Sequence, residues 1–110
     1  MNYHAHIYWR NDVERSMAIA MRPSLQSLGC GLGRVHDRAI GPHPLPMYQV
    51  MYDSSIQNEV ETFLRVPSSL SILIHEDIGI DHVRDHTEGA RWIGEKQPLD
   101  LEFLKNFQDD

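Results

Sequence analysis

Tyr3-His4-Ala5-His6-Ile7-Tyr8-Trp9 opens the chain as a short, alternating run of β-branched and aromatic residues. In a strand, successive side chains point to opposite faces. Ala5 and Ile7 then share one face, and His4, His6 and Tyr8 share the other. Two imidazoles two residues apart stand side by side, roughly 7 Å apart at Cα by the strand rise. That arrangement can bring two neutral nitrogens to one metal ion, or set a ligand beside an acid/base group. Two solvated histidines would look the same, so the meaning of the pair depends on what the rest of the chain brings to that face.

The 110 residues are enough for one domain, residues 1–110, and hardly more. Hydrophobic residues make up 41% and charged residues 24%, so a folded core is expected. The formal charge of −6, with no basic run, argues against binding to nucleic acid or to an anionic membrane. No apolar stretch approaches the length of a membrane span, and the first residues do not form a basic-then-apolar export signal. The single cysteine, Cys30, excludes an internal disulfide and fits a reducing cytoplasm. Its context, Leu28-Gly29-Cys30-Gly31-Leu32-Gly33, is that of a loop, and a spectator thiol is the expected reading. The unusual feature is seven histidines: His4, His6, His36, His43, His75, His82 and His86.

Beyond the first strand, Asn11 and Glu14 have the spacing of a capping box. Val13, Met17, Ala20, Met21, Leu25 and Leu28 follow at helical spacing, with Gly29 as the stop and Pro23 as an internal kink or break. Gly29 to Gly33 reads as a turn, residues 34–40 as a second strand, and residues 47–52 as a third. Gly41-Pro42-His43-Pro44-Leu45-Pro46 must connect the last two, because three prolines cannot sit in a ladder. Such bracing would hold His43 in a defined place. Ser54-x-x-Gln57 predicts another capping box, opening a helix that Pro67 ends. Residues 70–75 form the most apolar strand. Residues 85–94 suggest a helical turn or two, and the alternation over 98–103 a short further strand.

The order β-α-β-β-α-β with a C-terminal extension predicts an α+β, ferredoxin-like fold. Its four-stranded antiparallel sheet has the order 4-1-3-2, with both helices on one face. Ala5, Ile7, Val35, Tyr48, Val50, Ile72 and Ile74 then face the helices. His4, His6, Tyr8, Arg34, His36, Gln49, Met51, Leu73 and His75 take the open face. The beginning of the first strand lies beside the end of the fourth, so His4 or His6 should neighbour His75. Glu76, Asp77 and Asp85 are the nearby carboxylates. Sheets open on one face usually pair, so a homodimer, in the form of a dimeric α/β barrel, is also expected.

These stretches resemble the DOPA 4,5-dioxygenase family of fungal and bacterial extradiol dioxygenases. The similarity is carried by residues 3–8, Val35-His36-Asp37-Arg38, Gly41 to Val50, His75, Asp85-His86-Thr87, Trp92-Ile93-Gly94 and Pro98-Leu99-Asp100-Leu101. Two departures stand out. Val35 takes a position where the family usually has Trp, and Glu76-Asp77-Ile78-Gly79-Ile80 replaces a Pro-x-Thr-Gly-Asp-like turn.

The resemblance implies a ring-cleaving dioxygenase acting on a small, DOPA-like catechol with O2 and Fe(II). Zinc or another divalent ion could occupy the same nitrogens in a crystal. His6 and His75, from neighbouring strands, are the candidate metal ligands, with His4 as the third. His36, His43 and His86 are candidates for acid/base or supporting roles, and Gln49 and Tyr8 for substrate binding. The sequence leaves open which histidine does which job; His82 reads as an exposed loop residue. A dimeric metal- or small-molecule-binding module of the same fold would show the same histidines without turnover. A monooxygenase of the dimeric α/β-barrel type shares the sheet but would not need them.

Overall fold

The structure is a computed structural model that describes residues 2–77, 82–87 and 89–108. Residues 78–80 of the altered loop, the side chains of His82 and Asp85, and the last two residues of the expected frayed end lie outside the described residues. In chain order the elements are β1 (Asn2–Tyr8), α1 (Asp12–Ala20), α2 (Arg22–Ser27), β2 (Gly31–Leu32), β3 (Met47–Asp53), α3 (Gln57–Leu64), β4 (Ser71–Glu76), α4 (His82–Asp85), β5 (Ala90–Ile93) and α5 (Leu101–Gln108). They form a five-stranded antiparallel sheet of order β2-β3-β1-β4-β5. The expected 4-1-3-2 order is present, extended by β5 beyond β4.

Local chemistry explains the first half. Asn11 is in extended conformation and its side chain accepts from the Glu14 N–H at 2.9 Å, which starts α1. The Glu14 carboxylate returns to the Arg10 N–H and guanidinium, so the turn is tied from both sides. Pro23 divides the predicted helix in two. It sits in the first turn of α2, where its missing N–H costs nothing. Gly29, at φ 102°, closes α2: its N–H bonds to the Gln26 carbonyl and that of Cys30 to the Leu25 carbonyl. That pair of bonds is a Schellman ending, and only glycine takes the conformation freely.

Five local expectations are corrected. The second strand lies at Gly31–Leu32 rather than over 34–40, and His36 returns to β3 as an isolated bridge to Met47. The glycines taken for a turn lie close along β3: a Cβ at Gly31 would stand 3.4 Å from the Met51 side chain. Ser54 caps nothing. The turn is built on Asp53, which accepts from the Ser55 N–H and hydroxyl, and α3 starts from Ile56 without a side-chain cap. Residues 90–93 are strand rather than helix, and 101–108 are helix rather than strand. Asp100 accepts from the Phe103 N–H and so caps α5, a signal that the apolar alternation of Leu99, Leu101 and Phe103 concealed.

The two faces of the sheet divide as predicted. Ala5, Ile7, Tyr48, Val50, Ile72 and Ile74 pack with Leu25, Val60 and Leu64 on the helix side. Tyr8, Met47 and Leu73 form a second cluster on the opposite side. This face is not left open, however. Leu45 from the proline-rich connection, Ala90 and Trp92 from β5, and Leu99 cover it, so Tyr8 and Leu73 are fully buried in a single copy of the chain. Leu101, further along the chain, remains 40% exposed. On the helix side, Arg91 makes a bidentate ion pair with Glu61 of α3, with N–O distances of 2.7 and 2.8 Å, and fastens β5 to the core. No helix among the described residues is long and apolar enough to cross a membrane.

Candidate metal centre

Register places the histidines. β1 and β4 pair antiparallel with His4 opposite His75, and His6 lies between Gln49 of β3 and Leu73 of β4. Alternation sends all three imidazoles to the face away from the helices. His6 Nε2 lies 2.9 Å from His75 Nε2, and the two rings are nearly parallel. The His4 ring centroid is 5.3 Å from that of His75, and its Nε2 is 3.1 Å from a carboxylate oxygen of Asp77. Glu76 contributes its backbone carbonyl, which accepts from His75 Nδ1 at 2.9 Å.

Two further histidines complete the cluster. The connection between β2 and β3 folds back across the sheet and brings the His43 ring to 4.3 Å from that of His6. Its position is fixed by the His43 N–H to the Ile40 carbonyl and by the Asp100 N–H to the Pro42 carbonyl. His43 Nδ1 is 2.7 Å from the Tyr8 hydroxyl. Burial raises the Tyr8 phenol, so it stays protonated and donates; His43 then carries its own proton on Nε2. The ring of His86, just after α4, lies tilted against that of His75 with centroids 4.1 Å apart. His36 is half-buried at the edge of β3 and makes no ring contact with the other described histidines, although its charge is felt at His43.

The electrostatics are those of neutral imidazoles. Burial, then the charges of His43, His75, His86 and His4, pushes His6 well below the ordinary histidine value. Burial and the neighbouring His86 and His75 bring His43 down to about 3. Burial, followed by His86, brings His75 to about 4 against the opposing bond to the Glu76 carbonyl. Each nitrogen not carrying a proton is a lone pair at neutral pH, the form in which histidine binds metal.

The donor set fits a divalent ion. Ligand atoms of His4, His6 and His75 lie within 4.8 Å of one another, and so do those of His6, His43 and His86. With His75 Nδ1 donating to a carbonyl, its Nε2 is a lone pair, held as metal-bound histidines usually are. His6 Nε2 can donate to that lone pair, but His6 Nδ1 is buried without a hydrogen-bond partner among the described residues. An unpaired buried nitrogen costs about 1–3 kcal/mol, which coordination would recover. All-nitrogen donors suit iron or zinc better than magnesium or calcium.

All eight residues named from the sequence are found on this side of the sheet. His4, His6, His43, His75 and His86 converge, Tyr8 is bonded to His43, Gln49 lies opposite His6, and His36 stands apart. Sequence reasoning missed the pocket of about 560 Å³ that opens beside His86, lined also by Thr87, Ala90, Trp92 and residues 96–99 and 101. Its walls come from the turn after α4, from β5 and from the connection into α5, a region whose strand and helix were misread, so no local pattern announced it.

Residues 3–103 match the model of the Dopa 4,5-dioxygenase family. The chain is 30% identical to the DOPA 4,5-dioxygenase of Amanita muscaria over 98% of this chain and 51% of that protein. It is 34% identical to an uncharacterized 21.2 kDa protein of Botryotinia fuckeliana over 68% of this chain and 45% of that one. The chain thus spans about half the length of these curated relatives. The crystal structure of a "putative dioxygenase" from Nostoc punctiforme superposes with a TM-score of 0.90 at 35% identity, covering 96% of this chain and 92% of that one.

Proposed function

The chain belongs to the Dopa 4,5-dioxygenase family, and from that membership we propose that it is an extradiol dioxygenase that opens the ring of a catechol with O2 and Fe(II). The observation that carries this reading is the convergence of five histidines around a buried nitrogen that has no hydrogen-bond partner among the described residues. His4, His6 and His75 are the ligands. Bound there, Fe(II) would draw catechol oxygens and O2 to one centre and stabilise the catecholate as a Lewis acid.

The remaining groups orient the substrate and handle protons. The His43 Nδ1 is taken by Tyr8, so its Nε2–H is directed to donate to a developing oxyanion. His86, which lines the pocket and touches His75, takes the proton released when the catechol binds. Gln49, opposite His6, hydrogen-bonds a catechol hydroxyl oxygen. His36, which stands apart from the cluster, is given no role at the reacting atoms. Both atoms of O2 end in the product, an acid and an aldehyde or ketone of the opened ring. The catechol supplies the electrons, so no external reductant is required.

The test is anaerobic loading with Fe(II), followed by oxygen uptake and the appearance of a yellow ring-opened product across a panel of catechols. Uptake of one O2 per catechol with ring opening is the expected result. Tight metal binding without oxygen uptake on any catechol would leave a binding module in its place.

A further inference from the structure

The pocket beside His86 has a composition at odds with the chain around it. The protein carries a formal charge of −6, yet among the described residues no Asp or Glu lines this pocket. One wall is apolar, made by Ala90, Trp92, Pro98, Leu99 and Leu101. The Trp92 ring is held nearly parallel to Tyr8 at 5.8 Å, which fixes that wall against the sheet. Two of the polar lining groups are already engaged: Thr87 donates to the Val83 carbonyl, and the Gln97 amide donates to Ser71. Among the described lining residues, the one with a formal charge is Lys96. Its sequence neighbour Glu95 is drawn away to Arg10 at 2.9 Å, and Lys96 forms no ion pair among the described residues. By contrast, the hollow beside His4 is flanked by Asp53 and Asp77 and would repel an anion.

Resting on the catechol reading above, we propose that this pocket binds the aromatic ring and that Lys96 is the residue selecting substrates with a carboxylate side chain. The flat apolar wall takes the ring, His86 lies where the pocket meets the histidine cluster, and Lys96 meets the acid at the rim. A volume of about 560 Å³ is in the range of small-molecule sites and exceeds what a bare catechol fills. A rim ammonium on a compact, flexible stem is a point charge suited to a carboxylate without demanding one geometry.

The experiment measures affinity by calorimetry and tryptophan fluorescence for two matched pairs: 3-(3,4-dihydroxyphenyl)propionate against its amide, and 3-phenylpropionate against its amide. The wild-type protein should bind each acid about three- to tenfold more tightly than its amide, the size expected of a partly solvated ion pair. In Lys96→Gln the ratio should fall to near one, and in Lys96→Glu it should invert. Raising the ionic strength should erode the preference in the wild type. Equal affinity for acid and amide in the wild type, a preference that survives in Lys96→Gln, or no binding of either pair would overturn the assignment. A preference for both acids with no ring opening of the catechol would uphold Lys96 and refute the ring-cleavage reading instead.

Discussion

Acid should unfold this protein through its histidine cluster, and the size of the effect follows from three rings. His6, His43 and His75 are 2%, 7% and 3% exposed, and all are neutral in the folded chain at neutral pH. In the unfolded chain each returns to a pKa of about 6.5. Folded values below the unfolded one mean stability that is full above pH 6.5 and is lost as the pH falls. The loss continues until about pH 4 for His75 and about pH 3 for His43. At pH 5 the unfolded state gains about 2 kcal/mol from protonating each ring, or about 6 kcal/mol from three. That rivals the whole stability of a small domain, about 5–15 kcal/mol. The carboxylates do not interfere in this window. Hydrogen bonds from Arg10 hold Glu14 at about 2, and Arg91 keeps Glu61 below its ordinary value despite burial, so their losses begin only at lower pH. The assay is urea unfolding of chelator-treated protein between pH 7.5 and 5.0. The midpoint should fall by at least about 2 M, with a slope at pH 5 near three protons. A loss smaller than about 2 kcal/mol, the share of one ring, would show that the folded cluster accepts protons and would refute the argument.

Four other outcomes are expected. His6→Ala and His75→Ala should each abolish tight binding of Fe(II) or Zn(II) while keeping the circular dichroism of the parent; full metal content in both by elemental analysis would contradict the ligand assignment. His43→Ala should lower kcat by about 10²-fold or more with metal content nearly unchanged, and should also lower Tm because it leaves the buried Tyr8 hydroxyl unpaired; unaltered ring-opening kinetics would remove its catalytic role. Arg91→Ala removes the bidentate partner of buried Glu61, which keeps Tyr52, Gln57 and Arg65; with Arg91 about half exposed, the cost in urea unfolding should be about 1–2 kcal/mol, and no measurable change would count against the role given to that pair. Ile40, Leu101 and Phe103 are exposed, and Phe103 packs on Gly41 at the tip of the connection. A homodimer built on that patch should dissociate in Phe103→Asp, and a monomeric parent protein at micromolar concentration in analytical ultracentrifugation would rule it out.

What the sequence determined by itself was the inner sheet and its two faces. In β1, β3 and β4 the period of two decides where each side chain goes, so Ala5 and Ile7 could be separated from His4, His6 and Tyr8 before any contact was known. The topology then set His4 opposite His75. Asn11 and Pro23 acted locally, through a cap and a missing N–H, and were legible for that reason. Tertiary structure alone decided how the cluster closes. The prolines announced that His43 would be held, but not that its ring would cross the sheet to His6. That path depends on the Tyr8–His43 bond and on Asp100 reaching Pro42, contacts between residues far apart in the chain. β2 is two residues long and β5 four, too short for periodicity to outweigh competing patterns, and the side chains of a glycine strand carry no signal at all. The pocket with Lys96 on its rim is formed where β5 meets the approach to α5. Its lining residues share no period and become neighbours only when burial of Trp92 and Leu99 against Tyr8 and Leu73 draws the two segments onto the sheet.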